Sequence, residues 1–208
     1  YRGLQRQLVV YMDAAMEMLR GQHPKKEILP GGILYYHIDD PVLESDTPLS
    51  DEEAEQALLF ALRPDGLVNS GEEIYRAMDQ NFEGKSQMIP VEIKKNGEIS
   101  TARSKVASTE EFAVITRYVE HEIRQCGEAI YAGNIAVNPY RSDIETSCTY
   151  CPYASVCGMD AKIPGYEYRQ FASMKKEEVL DQMQTELARN RGKEERSDEM
   201  DEGTAERH

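Results

Sequence analysis

The chain has 208 residues, which is enough for one sizeable hydrophobic core or two small ones. Its formal net charge of -14 argues against a large basic face, so any contact with nucleic acid must be local. No apolar run approaches the ~20 residues that span a bilayer, and the N-terminal residues YRGLQRQLVV show neither an initiator Met nor a signal-peptide pattern. We therefore expect a soluble, cytoplasmic protein with no membrane segment, in a chain that begins inside a longer polypeptide.

Helical periodicity and helix start signals predict the helices. Apolar residues recur at helical spacing from Leu4 to Leu19, which predicts an amphipathic helix over residues 4–20 that ends near Gly21 and Pro24. Three capping boxes, each a Ser followed three residues later by a Glu, predict further helix starts. They are Ser50 with Glu53, Ser70 with Glu73, and Ser108 with Glu111.

The helix after Ser108 is predicted to be the longest. One apolar stripe runs along it and stops at Gly133, and its members are Phe112, Ile115, Val119, Ile123, Cys126 and Ile130. A small hydrophobic residue is the ordinary occupant of such a stripe, so Cys126 is predicted to be a core residue. An alternative is that Cys126 joins a zinc site, for which His121 five residues earlier gives some support.

Strands are predicted between these helices, so the fold class is mixed α and β. The segments GGILYYHI (31–38) and MIPVEI (88–93) are rich in β-branched and aromatic residues. Asn96-Gly97 predicts a hairpin turn into residues 98–101.

The C-terminal part is predicted to be a helical extension followed by a tail. A short helix is expected over residues 175–187, and residues 189–208 contain almost nothing apolar, which predicts disorder. The predicted organisation is therefore a domain over 1–165, an extension over 166–188 and a disordered tail over 189–208.

Three of the four cysteines lie within ten residues, in the run CTYCPYASVCGMD (148–160). The two-residue gap between Cys148 and Cys151 lets one tight turn direct two sulfurs to one centre, and the longer gap brings in Cys157. In a reducing cytosol, clustered cysteines are more often ligands than disulfides, and inert buried cysteines would be scattered on apolar faces. The spacing predicts a metal site with three thiolates that lacks one ligand.

Two other groups of polar residues have the composition of a catalytic site. Glu92 and Lys94 share one face of a predicted strand, as the carboxylate and ammonium of a two-metal phosphodiesterase do. The favoured interpretation is a solvated hairpin face, in which residues 91 and 93 point inward while Glu92, Lys94 and Lys95 meet water. Asp39-Asp40, just before a proline at a strand end, are expected to start a turn.

Gln7 and Tyr11 are four residues apart and therefore share a helix face. From spacing alone they are a polar residue and a half-buried aromatic residue.

Seven motifs, taken in order, resemble the AddB-type subunit of bacterial ATP-dependent helicase-nucleases over about residues 4–187. They are QLVVY (7–11), GGILYYHIDDP (31–41), QNFEGKS (80–86), the hairpin at Asn96-Gly97, ARSKVAS (102–108), GNIAVNPYR (133–141) and CTYCPYASVCGMD (148–160). The resemblance implies the C-terminal part of a RecB-like PD-(D/E)xK nuclease domain. It also implies DNA as substrate, a heterodimer with the helicase-nuclease A subunit, Mg2+ and ATP for the intact complex, and processing of double-strand breaks for recombination.

The resemblance further assigns roles to residues of this chain. It implies that Cys148, Cys151 and Cys157 bind a 4Fe-4S cluster whose fourth cysteine lies far upstream, and that Gln7 and Tyr11 line the nuclease cleft. In that family the metal-binding carboxylates and the catalytic lysine precede the Q-x3-Y helix, so no catalytic residue is expected in this chain.

Two other functions remain open from the sequence. A free-standing iron-sulfur exonuclease of the CRISPR-associated type also pairs Q-x3-Y with three C-terminal cysteines, but it does not predict the segments at 31–41 and 133–141. A non-enzymatic, zinc-bound DNA-binding module is the third possibility.

Overall fold

The computed structural model describes residues 6–36, 38, 41–45, 47–80, 82–142 and 145–205, with side chains as far as Asn190. The chain forms two compact units, one over residues 5–117 and the other formed mainly by residues 118–208. Within the described residues, no helix combines the length and apolarity needed to cross a membrane. The predicted boundaries at 165 and 188 stay predictions.

The elements alternate between helices and short strands, which confirms the predicted mixed α and β class. In chain order they are α1 Gln7–Gln22, β1 Gly32–Tyr35, α2 Asp51–Ala61, β2 Asp65–Asn69, α3 Glu72–Met78, β3 Val106–Ala107, α4 Thr109–Tyr131, β4 Tyr140–Ser142, α5 Ala154–Cys157, β5 Arg169–Phe171 and α6 Lys176–Ala205.

The central strand of the first unit, β2, is absent from the sequence prediction. It pairs antiparallel with β1 and parallel with β3, so the sheet order is β1-β2-β3. Asp, Gly and Asn are depleted in strands, which hides this segment from propensity arguments. Gly66 has a φ of 148°, and a Cβ there would lie 2.1 Å from the carbonyl oxygen of Ile33, so β1 and β2 can approach only because residue 66 is glycine.

The core of the first unit joins the sheet to the segment that follows α3. It contains Val68, Tyr75, Phe82, Ile89, Val91, Ile93 and Val106. Residues 91 and 93 point inward as predicted, but 88–93 form isolated bridges instead of a strand. Pro90 supplies no N–H to a ladder, and its carbonyl oxygen accepts a bond from Lys105 N.

The predicted hairpin turn is confirmed. Gly97 has a φ of 85°, Lys94 N donates to Glu98 O at 2.7 Å, and Ser100 N donates to Glu92 O at 2.8 Å. This turn connects residues that pair only as isolated bridges, since Ile93 bridges Ile99.

Two of the three predicted capping boxes are confirmed. Ser50 and Glu53 bond each other's backbone N–H at the start of α2, and Ser108 and Glu111 do the same before α4. The third is wrong, because α3 begins at Glu72 after Gly71 and has no Ser70 cap. The Asn69 side chain binds the residue before the helix, since its Oδ1 accepts from Gly71 N at 2.8 Å, and α3 has no side-chain cap.

Helix α1 covers Gln7–Gln22, within about two residues of the predicted end. Helix α4 has 23 residues and is not the longest, because α6 has 30. α6 runs past residue 187 through residues predicted to be disordered. That stretch is rich in Glu, Lys, Arg, Met and Ala, which favour helical backbone. The prediction considered only the lack of apolar residues and not this local preference.

The apolar stripe of α4 is buried along its first half only. Phe112 and Val119 are buried, whereas Ile123 is 43% exposed and Ile130 is 78% exposed. Cys126 is also exposed, so its prediction as a core residue is wrong. Helical periodicity identifies the apolar face correctly, but it does not show how far along the helix that face is covered.

A buried serine fixes the loop that follows α3. Ser86 is fully buried, and its hydroxyl donates to Asp79 Oδ2 at 2.6 Å while accepting from Met88 N and Ile89 N at 3.0 Å each. Arg63 Nη1 donates to the carbonyl oxygen of Ser86 at 3.0 Å. The hydrogen bonds of the Ser86 side chain and backbone therefore fix the conformation of this loop.

Replacing Ser86 by Ala should lower the free energy of unfolding by about 1–3 kcal/mol, because one carboxylate, one buried N–H group and one part-buried N–H group lose their partner. Urea unfolding followed by circular dichroism measures it. Ser45→Ala is the control, since the hydroxyl of Ser45 is exposed and its loss should stay within about 0.5 kcal/mol. Equal effects of the two substitutions would contradict the role assigned to Ser86.

An exposed ion pair predicts a pH dependence of stability. The hydrogen bond from Lys105 Nζ, at 2.6 Å from Asp65 Oδ1, holds the pKa of Asp65 below its ordinary value of 3.8. Because the folded pKa is lowered, the stabilisation is present above the unfolded pKa and is lost as pH falls through the folded one. Lys105→Gln should therefore lose less stability than the native chain between about pH 6 and about pH 3. Unfolding midpoints at both pH values test this, and parallel losses would contradict it.

Candidate functional site

The three clustered cysteines lie in the second unit, in the segment between β4 and β5. These strands pair parallel, with Tyr140 opposite Arg169 and Ser142 opposite Phe171. The segment starts from a hydrogen-bonded turn, in which Tyr140 N donates to Ser147 Oγ at 3.1 Å and Ser147 N donates to the carbonyl oxygen of Tyr140 at 3.1 Å. The cysteine segment is therefore anchored at its start to β4.

Local hydrogen bonds give the cysteine segment the turn predicted from its spacing. Cys151 N lies 3.3 Å from the carbonyl oxygen of Cys148, and Cys157 N donates to Tyr153 O at 2.8 Å. Gly158, with a φ of 63°, ends the single turn of α5. The thiols of Cys148, Cys151 and Cys157 are half-buried and form no disulfide.

The structure does not assemble these thiols into a metal site. Among the residues that the structure describes, no three His, Cys, Asp or Glu side chains are arranged to hold one metal ion. The donor set suits a soft metal or an iron-sulfur cluster, because thiolates are soft ligands and these three form no disulfide. The arrangement around a common centre stays a prediction.

Two residues beside the cysteines were not identified from the sequence. A hydrogen bond to Cys148 raises the pKa of the Tyr168 hydroxyl above its ordinary value of 10, and Arg141 opposes this shift. The guanidinium carbon of Arg141 lies 4.4 Å from the ring centroid of Tyr168. Arg141 ends the motif at 133–141, but Tyr168 follows Cys148 by twenty residues and carries no sequence signal.

Gln7 and Tyr11 share one face of α1, as predicted. Gln7 Nε2 donates to the hydroxyl oxygen of Tyr11 at 2.6 Å. Tyr11 is 60% exposed and not half-buried, so both polar groups stand in solvent on the first unit. Their place in a nuclease cleft stays a prediction.

Glu92 and Lys94 bond to different partners and do not form one centre. Glu92 Oε1 accepts from Arg103 Nη1 at 2.9 Å, and only 18% of the Glu92 side chain is exposed. Lys94 Nζ lies 3.7 Å from Glu98 Oε2. The hairpin interpretation is correct for Lys94 and Lys95, which are exposed, whereas Glu92 is only partly exposed and is bonded to Arg103. Asp39 and Asp40 lie outside the described residues.

Known proteins resemble the chain over most of its length. It is 37% identical over 187 residues to a protein of Thermoanaerobacter sp. (strain X514), covering 90% of this chain and 16% of that protein. It is 39% identical over 188 residues to a protein of Lachnoclostridium phytofermentans, covering 86% of this chain and 16% of that protein. A Clostridium botulinum (strain Hall) protein is 38% identical over 187 residues, again covering 90% and 16%. All three are named as the B subunit of an ATP-dependent helicase/deoxyribonuclease.

The chain therefore spans about one sixth of the length of these relatives. A family model for the PD-(D/E)XK nuclease superfamily matches residues 1–158, which include Gln7, Tyr11 and the three clustered cysteines. That match covers well over half of the 208 residues, and the resemblance inferred from the seven motifs is thereby confirmed. The chain belongs to the PD-(D/E)XK nuclease superfamily.

Proposed function

We propose that this chain is the C-terminal nuclease-domain region of the B subunit of an ATP-dependent helicase-deoxyribonuclease. The observation that carries the proposal is the 37–39% identity to subunits of that name along 86–90% of the chain. The intact enzyme hydrolyses DNA phosphodiesters with Mg2+, pairs with a helicase-nuclease A subunit and processes double-strand breaks for recombination. ATP is used by the motor parts, since no Walker A pattern occurs in these residues.

The similarity favours this function over the two alternatives. A short CRISPR-associated exonuclease and a non-enzymatic zinc module do not account for relatives about six times as long that are named as helicase/deoxyribonuclease subunits. The same relatives match the segments at 31–41 and 133–141, because the similarity runs through nearly the whole chain.

The metal-binding carboxylates and the lysine of the nuclease centre belong, in this proposal, to a part of the protein that precedes Gln7. The carboxylate of Glu92 is bonded to Arg103, and Lys94 lies beside Glu98, so neither is available to hold Mg2+ and position water. The described residues also contain no acidic cluster that would hold a metal ion. On this proposal the described residues hold no nuclease centre of their own.

Gln7 and Tyr11 contribute positioning groups to the cleft. Their side chains are joined at 2.6 Å on an exposed helix face, and each keeps donor capacity that a phosphate oxygen would accept. Neither residue needs to transfer a proton in this role. They orient the DNA strand while residues elsewhere bind the metal.

The three clustered cysteines bind a 4Fe-4S cluster together with a fourth cysteine upstream. The support is the C-x2-C-x5-C spacing, the turn that joins Cys148 to Cys151, and three half-buried thiols outside any disulfide. When bound, the cluster joins two distant parts of the polypeptide and contributes folding free energy. The residues of this chain supply the turn geometry and three of the four sulfurs.

The cysteine assignment predicts a difference between Cys151 and Cys126. The full-length protein, purified without oxygen, should contain iron and sulfide, and Cys151→Ala should lose them, because one of three thiolates on this loop is removed. Cys126→Ala should leave the iron content unchanged, since that residue lies outside the loop. Iron and sulfide analysis with absorption spectra measures both. Stoichiometric zinc in a colourless protein, or equal iron loss from both variants, would contradict the assignment.

The proposal also predicts where activity resides. The full-length protein with its partner should degrade linear duplex DNA in the presence of Mg2+ and ATP, whereas the 208-residue chain alone should cleave neither duplex nor single-stranded DNA in Mg2+ or Mn2+. Gel analysis of labelled DNA measures both, with Glu92→Ala in the isolated chain as the control. Metal-dependent cleavage by the isolated chain that disappears in Glu92→Ala would place the nuclease centre at the hairpin and refute this arrangement.

A further inference from the structure

Two cations from outside α2 converge on one aromatic ring at the end of that helix. Lys85 Nζ lies 3.6 Å from the ring centroid of Phe60, and the guanidinium carbon of Arg63 lies 4.7 Å from the same centroid. Neither forms an ion pair with a carboxylate in the described part of the chain, although the protein has 38 acidic residues and 24 basic ones. Two like charges held this close favour an anion beside them.

Arg63 is held in place and keeps donors for a ligand. Its Nη1 donates to the carbonyl oxygens of Ser86 at 3.0 Å and Ile89 at 3.4 Å, which fixes the guanidinium between α2 and the buried loop. Nε and Nη2 bond to no residue that the structure describes. A guanidinium with a fixed plane and remaining N–H groups is suited to a phosphate group.

An apolar cavity opens next to these cations. Its volume is about 240 Å³, and Arg63 lines it together with Tyr36, Leu59, Leu62, Pro64 and Met88. Tyr36 is 59% exposed and Met88 is 63% exposed, so a flat apolar group can reach the cavity from solvent. The volume is below the ~300–1,000 Å³ of sites for drug-sized ligands, which suits one ring system and not a larger molecule.

We propose that this surface, formed by Tyr36, Phe60, Arg63, Lys85 and Met88 with the cavity, binds one nucleotide of single-stranded DNA. A nucleotide joins a flat base to an anionic phosphate. The cavity is lined by the exposed ring of Tyr36 and by Arg63, and Arg63 shares the Phe60 ring with Lys85. The base must be unpaired to reach the cavity, so duplex DNA does not fit. This inference rests on the proposed function for its choice of ligand, because the intact enzyme acts on DNA.

Most acidic residues of α2 lie far from these cations. Asp51, Glu52 and Glu53 are in the first turn, seven or more residues before Phe60. At 1.5 Å per residue this is about 10 Å or more, beyond the ~8 Å Debye length at physiological salt. Asp65 is nearer and interacts electrostatically with Arg63, but its carboxylate forms its ion pair with Lys105. The remaining donors of Arg63 therefore stay open to a phosphate group.

The test is binding of a labelled strand to the 208-residue chain in EDTA, where no cleavage can occur. The probes are a fluorescein-labelled oligothymidylate of about twelve nucleotides, an abasic strand with the same phosphates, and an oligoglutamate peptide. Fluorescence anisotropy should show oligothymidylate binding about 5-fold or more tighter than the abasic strand, as expected for at least one stacked base. Equal affinities for the two strands, or preference for the acidic peptide, would overturn the proposal and assign the surface to a protein segment in the second case.

Matched variants separate this surface from general electrostatics. Tyr36→Ala should make the two strands bind alike, while Tyr131→Ala, at a 96% exposed tyrosine of the second unit, should not. Lys85→Glu should weaken the binding of both strands. It should also lower the slope of the logarithm of affinity against the logarithm of salt concentration by about 0.7, the value for one phosphate contact on a single strand. Lys95→Glu makes the same charge change at another exposed lysine of the same unit. Equal weakening by Lys85→Glu and Lys95→Glu would overturn the proposal.

A second measurement uses the full-length protein and does not depend on how the isolated chain folds. Photocross-linking with an oligonucleotide that carries 5-iodouracil should attach the base to Tyr36, detected by mass spectrometry of peptides. Cross-links confined to other peptides would refute the site. Both measurements report DNA binding and not cleavage. The proposed binding site can therefore be refuted while the nuclease function holds, and a protein without nuclease activity can still show binding at this site.

Discussion

The side-chain amide of Asn69 is the contact on which the first unit depends. Asn69 ends the central strand β2 and is 1% exposed, and its Nδ2 donates to Pro30 O at 2.8 Å and to Thr109 Oγ1 at 3.0 Å. Its Oδ1 accepts from Gly71 N at 2.8 Å. One buried amide therefore ties the approach to β1, the start of α3 and the start of α4 to the central strand. A fully satisfied buried polar group of this kind specifies one arrangement, because any other leaves its donors unpaired in the interior.

That amide also explains where sequence reasoning succeeds and where it fails. The boxes at Ser50 and Ser108 are predictable because each is closed by a partner three residues away in the same segment. The pair Ser70 and Glu73 has the same sequence pattern, but the Asn69 side chain accepts the bond from Gly71 N and the helix begins only at Glu72. The strand β2 is set by burial between β1 and β3, so the weak strand propensity of its residues does not reveal it.

In the cysteine segment, too, features set by local contacts were predictable and features set by distant residues were not. The turn from Cys148 to Cys151 follows from spacing because its hydrogen bond is local. Convergence of three sulfurs on one centre requires atoms beyond the loop, so spacing predicts the ligand type and not the assembled geometry. Cys126 was wrongly predicted to be buried. It lies on the apolar stripe of α4 as expected, but the stripe is buried only in its first half and Cys126 is exposed. Tyr168 reaches Cys148 from the position just before β5, a contact that depends on the pairing of β4 with β5.

The cations of the first unit fall into two groups, those paired with carboxylates and those placed by other contacts. Arg103 and Lys105 are committed to Glu92 and Asp65, where they fix the hairpin and the sheet. Arg63 and Lys85 are placed instead by an aromatic ring and by backbone carbonyls, contacts that orient a cation without neutralising it. With a net charge of -14, long-range attraction of an anion is unfavourable, and only contacts within a Debye length can favour one. Arg63 and Lys85 are cations that can make such contacts, and the DNA site proposed at the end of α2 depends on this property.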